Sequence, residues 1–154
     1  MSPQIGDKAP AFTMPADGGG EVSLASLKGR PVILYFYPRD DTPGCTTEAC
    51  GFRDAMPDFS KLDAAIVGVS RDTVAKHDKF KAKYELPFTL GADDTGAVTE
   101  AYGVWVEKSM YGRKSMGIER ATFLIDGAGV IRGIWRKVKV KGHVEEVLAA
   151  LQAL

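Results

Sequence analysis

The chain holds two cysteines in 154 residues, Cys45 and Cys50. Both lie in the stretch Tyr37-Pro38-Arg39-Asp40-Asp41-Thr42-Pro43-Gly44-Cys45-Thr46-Thr47-Glu48-Ala49-Cys50, between an apolar run and a helical pattern. Pro43 suits the first position of a helix, where its missing N–H would have had no partner. Thr42 is then the N-cap. Cys45 falls in the first helical turn, near free backbone N–H groups and the positive end of the helix dipole. Both favour thiolate over thiol, and the thiolate is the nucleophile. Five residues of helix rise about 7.5 Å and turn two side chains roughly 140° apart. A disulfide needs Cα atoms within about 7 Å. The two sulfurs therefore cannot bond while the helix is intact. This spacing argues against a structural staple and suits a redox pair that bonds only when the first turns unwind.

Other uses of the pair fit less well. A zinc site needs four ligands, and Cys-x4-Cys supplies two. His77 and His143 lie far along the chain in polar surroundings that read as solvated helix surface. The Cys-x-x-Cys of a dithiol exchanger is absent. A Cys-His protease or acyltransferase needs a base and an oxyanion hole, and neither histidine stands in a recognisable setting. Two inert buried cysteines remain open, but they leave Thr42-Pro43-Gly44 unexplained. The local charges oppose a thiolate: Arg39 and Arg53 are outnumbered by Asp40, Asp41, Glu48 and Asp54. A cation from elsewhere in the chain is expected. The Thr42 hydroxyl reads as an N-cap, or as a group aimed at the thiolate or at a bound oxygen; the two readings are compatible.

The elements that must position this stretch follow from apolar patterning. Pro31–Tyr37 is a near-continuous apolar run of strand length, read as a central strand buried on both faces. The cysteine helix runs to about Ala55 and breaks or kinks near Pro57. Before the central strand, Pro10–Pro15 is extended with Phe12 buried. Gly18-Gly19-Gly20 is a loop, and Glu21–Leu24 pairs back as a hairpin strand. The triple glycine lacks the Lys-Ser or Lys-Thr of a P-loop and reads as a plain turn. Ala64–Val69 is a second buried strand. Thr73–Tyr84 is a lysine-rich helix with Phe80 and Tyr84 on one face. Pro87–Leu90 is extended, and Asp93–Gly96 opens a short helix to about Tyr102. Trp105–Lys114 reads as loop, and Trp105, Met110, Tyr111 and Met116 as either a partner or substrate wall or ordinary loop packing. Thr122–Ile125 is a third buried strand, with Val130–Arg136 returning antiparallel after a tight turn. Gly142–Leu154 closes the chain as a helix with Val144, Val147, Leu148 and Leu151 on its apolar stripe. The order is strand-helix-strand-helix, an insertion, then strand-strand-helix. Alternation implies parallel strands, and the late hairpin adds an antiparallel edge. Cys45 then stands where a strand passes into its helix, the end of an open α/β sheet where sites lie.

Composition bounds the rest. The length suits one well-cored domain, residues 1–154, and no repeat or linker divides it. Twenty basic residues balance twenty acidic ones, which removes the electrostatic case for nucleic acid or a membrane surface. No apolar run reaches the length of a membrane span, and the N-terminus lacks a signal-peptide layout. The expected location is cytoplasmic, where thiols are kept reduced and a lone cysteine pair is more often catalytic than structural.

The pattern Pro38-x-x-x-Thr42-x-x-Cys45 resembles the active-site signature of peroxiredoxins. The longer run from Tyr37 to Cys50 is similar to the bacterioferritin comigratory protein or peroxiredoxin Q subfamily. Gly117-Ile118-Glu119-Arg120-Ala121-Thr122-Phe123-Leu124-Ile125-Asp126 resembles that subfamily's segment carrying the active-site arginine. The similarity spans nearly the whole chain. It implies an α/β thioredoxin fold, with a central mixed sheet flanked by helices and an N-terminal hairpin extension. It also implies a cofactor-free thiol peroxidase with no metal, acting on hydrogen peroxide and organic hydroperoxides. By this resemblance Cys45 is the peroxidatic cysteine, which becomes a sulfenic acid. Thr42 hydrogen-bonds the peroxide and the thiolate. Arg120 is the missing cation, stabilising the thiolate and the charge moving onto the leaving oxygen. Pro38 shields the pocket, and Glu48 orients the arginine. Cys50 is the resolving cysteine, forming an intramolecular Cys45–Cys50 disulfide that thioredoxin or a glutaredoxin-type reductant reopens. Ala121 stands where a small hydroxyl residue is more usual, a departure that leaves the chemistry intact. The resemblance leans toward a monomer with an antioxidant role. A redox relay that senses peroxide, or a holdase, is the alternative on the same fold.

Overall fold

Val32–Phe36 (β3) is buried along its whole length, and the architecture is layered on its two faces. The structure, a computed structural model, describes residues 2–154, and at Met110 the backbone alone. Two short strands, Thr13–Pro15 (β1) and Glu21–Ser23 (β2), form an antiparallel hairpin ahead of β3. After β3 come Pro43–Lys61 (α1), Ala65–Ser70 (β4), Val74–Tyr84 (α2), Thr89–Ala92 (β5) and Ala97–Ala101 (α3). Trp105–Met110 (β6) and Arg113–Ile118 (β7) precede Ala121–Ile125 (β8), Ile131–Trp135 (β9) and His143–Gln152 (α4). The central sheet has the order β5-β4-β3-β8-β9. β3, β4 and β5 are parallel; β8 and β9 run antiparallel, as alternation followed by a late hairpin requires.

Strand alternation divides the core. Val32, Leu34 and Phe36 face a cluster with Phe12, Tyr102 and Phe123. Ile33, Tyr35 and Tyr37 face the other side, where Cys45, Ala49, Phe52 and Phe59 of α1 meet Val147 and Leu151 of α4. Phe52 stacks on Tyr35 with ring centroids 4.8 Å apart. Truncating such a buried ring costs about 3–5 kcal/mol, so this contact fixes α1 firmly on the sheet. The register places Gly68 opposite Tyr35, and a Cβ at Gly68 would lie 2.8 Å from the Tyr35 hydroxyl. A side chain there would push the tyrosine off the cysteine face.

Three expectations are corrected. α1 continues through Pro57 to Lys61 instead of breaking near Pro57. Pro57 is exposed, and a helix can run past a proline with the one hydrogen bond it removes left unmade. Trp105–Lys114 is no loop: β6 and β7 form a six-pair antiparallel hairpin turned by Tyr111 (φ 52°) and Gly112 (φ 76°). Two consecutive positive φ values make the tight turn whose twist suits a hairpin. Tyr-Gly is a weaker signal for it than Asn-Gly, and the mostly exposed strands lack apolar alternation. Finally, His77 and His143 are buried and not on solvated surface.

Candidate active site

The sheet register builds the site. β3 and β8 pair antiparallel with Phe36 opposite Ala121. The end of β3 and the start of β8 therefore share one edge of the sheet. The loop that leaves β3 leads into α1 and Cys45, and the residue just before β8 is Arg120. Residues 75 positions apart meet there: Arg120 Nη2 donates to Cys45 Sγ at 3.3 Å. Gly44 makes room for the approach, since a Cβ at that position would lie 3.2 Å from Arg120 Nη2. Arg120 thus brings a cation from a distant part of the chain into contact with the cysteine.

Cys45 is 2 % exposed and sits in the first turn of α1, behind Pro43 at the helix start. A guanidinium N–H aimed at sulfur, added to the positive end of the helix, stabilises a thiolate. Cys50 is half-buried, and both cysteines are free thiols.

Glu48 lies one helical turn beyond Cys45. Arg120 Nη1 donates to Glu48 Oε1 at 2.6 Å, so one guanidinium spans both groups. Glu48 is wholly buried, and its Oε2 has no hydrogen-bond partner. Burial drives its carboxyl pKa up to about 7, against the opposing pull of Arg120. The Tyr35 hydroxyl is also buried without a partner; burial, and then the nearby Glu48 and Cys45, hold it well above the usual tyrosine range.

Thr42 occupies the N-cap position, but its hydroxyl makes no capping bond. Its Oγ1 donates to the Arg39 carbonyl at 2.9 Å, which leaves its lone pairs free for an incoming donor. Pro38 is exposed and, with Thr42, lines a cleft of about 630 Å3. Trp105, Lys108, Met116 and Ile118 form its far wall. The hairpin therefore supplies a wall through Trp105 and Met116, whereas Tyr111 is 98 % exposed and does not line the cleft, and the side chain of Met110 lies outside the described residues. Trp105 packs under the Arg71 guanidinium, 3.4 Å from the ring centroid.

The local acids counted against a thiolate are paired, Asp40 and Asp41 with residues of α2 and Asp54 with its neighbour on α1. Asp41 binds Lys83 Nζ and the Tyr84 hydroxyl, each at 2.8 Å. Asp54 pairs with Arg53 at 3.0 Å. Asp40 takes the Tyr37 hydroxyl and His77. The tally of nearby charges missed this because Lys83, Tyr84 and His77 belong to α2, thirty or more residues away.

Sequence reasoning also missed Lys108. Its ammonium is lowered, first by partial burial and then by the charge of Arg120. Its stem lies across Gly117, with Cδ 3.1 Å from the position a Cβ would take. Reading Trp105–Lys114 as loop hid this residue. Alternate positions of an exposed hairpin strand carry no apolar signal that would reveal it.

The site thus combines a buried thiol, a cation that reaches it, a carboxyl group bonded to that cation, and an open cleft beside them. This suits nucleophilic attack on a small electrophile whose leaving group gathers negative charge.

Comparison with known proteins points the same way. The AhpC/TSA family matches residues 5–134. A putative peroxiredoxin bcp of Coxiella burnetii is 57% identical over 151 residues, covering 98% of this chain and 100% of that protein. Peroxiredoxin Bcp of Bacillus subtilis is 53% identical over 152 residues, covering 99% of this chain and 97% of that one. The solved bacterioferritin comigratory protein of Xanthomonas campestris, described for its alkyl peroxide reduction activity, superposes with a TM-score of 0.89 at 46% identity, covering 92% of this chain and 90% of its own.

Proposed function

The chain belongs to the AhpC/TSA family and is a peroxiredoxin of thioredoxin fold, a thiol-dependent peroxidase, and we propose that Cys45 is its peroxidatic cysteine and Cys50 its resolving cysteine. The observation that carries the assignment is the 3.3 Å contact of Arg120 with the sulfur of Cys45 in a buried site. The Cys45 thiolate attacks one peroxide oxygen. The O–O bond breaks, the sulfur becomes a sulfenic acid, and the other oxygen leaves as water or an alcohol after taking a proton. Arg120 stabilises the charge on the sulfur and on the departing oxygen. Glu48 fixes the guanidinium. Thr42, on the cleft wall with Pro38, accepts a hydrogen bond from the peroxide OH.

The Cys50 thiolate then attacks the sulfenic sulfur, water leaves, and a Cys45–Cys50 disulfide forms. Both residues lie on α1, so its first turns unwind at this step. A dithiol reductant of thioredoxin or glutaredoxin type returns two electrons through a mixed disulfide. Hydrogen peroxide and organic hydroperoxides are the substrates. No helix among the described residues is long and apolar enough to cross a membrane, and we place the enzyme in the cytoplasm as a one-domain monomer.

Mass spectrometry after one equivalent of peroxide tests the assignment. Wild type yields a Cys45–Cys50 bond. Cys50→Ser yields a Cys45 sulfenic acid that a 1,3-dione carbon nucleophile such as dimedone captures with loss of water. Oxidation at Cys50 alone would overturn the assignment.

A further inference from the structure

The active-site loop is fastened to α2 through a buried polar network that the reaction described above does not use. His77 is 0 % exposed and packs below the loop. Its Nε2 lies 2.9 Å from the carbonyl of Gly91 on β5, which can only accept, so Nε2 carries a proton. Its Nδ1 lies 2.6 Å from Asp40 Oδ2. The other Asp40 oxygen takes the Tyr37 hydroxyl at 2.5 Å, and the Asp40 backbone N–H donates to Asp72 at 2.8 Å. Asp72 is itself held by Ser70. Asp40 is therefore tied by side chain and backbone, two residues before the N-cap of α1.

We propose that His77 is a positioning residue for the peroxidase reaction: as an imidazolium it clamps Asp40, and with it the Pro38–Thr42 wall of the cleft, in the arrangement that attacks peroxide, and it resists the unwinding that disulfide formation requires. The clamp is buried, whereas the neighbouring Asp41–Lys83 pair is exposed and screened by water, so the clamp is the stronger fastening. The charged and titratable groups facing the ring are Tyr37 just after β3, Asp40 from the loop and Asp72 from beyond β4. Burial alone pulls the imidazolium down, but the Asp40 hydrogen bond and charge outweigh it and leave His77 raised. With Nε2 already protonated against Gly91, the 2.6 Å approach of Nδ1 to the Asp40 carboxylate calls for a second proton on the ring. Loosening the clamp makes attack on peroxide slower and resolution faster, so less Cys45 is trapped as sulfinic acid.

The inference rests on the assignment of Cys45 and Cys50 above. Its test compares wild type with His77→Gln and Asp40→Asn, two neutral substitutions of similar size. Two quantities are measured from pH 5.5 to 8.5: the ratio of sulfinic acid to disulfide after excess peroxide, and amide exchange at residues 46–50 in the reduced protein. Both variants should exchange on the order of tenfold faster, as loss of a charge-assisted hydrogen bond implies. Their sulfinic fraction should fall several-fold, and the fall in the wild-type fraction as pH rises through the His77 titration should vanish. Unchanged exchange and an unchanged ratio in a folded variant of either kind would overturn the clamp, even if melting temperature dropped. Absence of any disulfide in wild type would instead overturn the cysteine assignment.

Discussion

Arg120 holds Glu48 at 2.6 Å, from a side chain only 16 % exposed to one wholly buried. The same guanidinium reaches Cys45, so one cation bridges the carboxyl and the sulfur. Leaving one member of a buried pair unpartnered costs about 3–5 kcal/mol. In the proposed mechanism Glu48 fixes where Arg120 points, and the arginine meets developing charge.

Replacing Glu48 with Gln keeps the shape and removes the charge. The guanidinium is then free to swing, and misplacement on this scale costs about a hundredfold in rate. Steady-state peroxide consumption should show the loss mainly in the peroxide-dependent step. A rate within twofold of wild type would remove Glu48 from the positioning role.

Glu48 also sets a pH dependence. Its folded pKa, about 7, is raised above the ordinary carboxylate value by burial first, with Arg120 opposing. Such a group contributes stability below the unfolded value near 4.5, and that contribution is lost as pH rises through about 7. Melting curves of wild type should carry a loss over this window that Glu48→Gln lacks.

His143 acts in the opposite direction. Burial, then the charge of Arg120, depresses it to about 4, and its Nε2 lies 2.8 Å from the Thr122 hydroxyl. Its contribution is present above the unfolded value of about 6.5 and lost as pH falls through about 4. Melts of His143→Gln should show a flatter acid limb than wild type. Identical acid limbs would mean the buried ring is not what titrates.

Arg120→Lys separates charge from geometry. A lysine is a point charge and cannot span Glu48 and Cys45 as the planar fork does. It should lose most of the rate, and Arg120→Met about 10²–10³-fold, the scale of one lost preorganised donor. Stopped-flow measurement of sulfenic acid formation checks both; a lysine variant at wild-type rate would mean charge alone suffices.

Thr42→Val tests the hydroxyl. Since the hydroxyl makes no capping bond, the usual loss of about 1 kcal/mol for a removed cap should be absent, while peroxide turnover falls. A drop in melting temperature without a drop in turnover would restore Thr42 to a purely structural role.

The central strand, the cysteine helix and the N-terminal and C-terminal hairpins were legible because β3 is buried on both faces and its neighbours carry clear turn residues. Cys45 and Thr42 stood out from local spacing, and Pro38 only through the resemblance. Arg120 was legible only through resemblance, because its meeting with Cys45 follows from the β3–β8 register and not from any nearby residue. His77 was misread for a related reason. Its helix is lysine-rich, and the acceptors that bury it, Asp40 and Gly91, come from a loop and a strand that no periodicity links to it. The exposed β6–β7 hairpin, and Lys108 with it, lacked the apolar alternation by which strands are recognised.

Peroxide consumption coupled to thioredoxin, thioredoxin reductase and NADPH tests the account most directly, with Cys45→Ser and Cys50→Ser beside wild type. The expected result is sustained turnover in wild type, none in Cys45→Ser, and a single turnover ending in Cys45 sulfenic acid in Cys50→Ser. Sustained turnover in Cys45→Ser would contradict the assignment of the nucleophile. Stoichiometric oxidation of wild type without turnover, under this or a glutaredoxin-type reductant, would point instead to a redox relay.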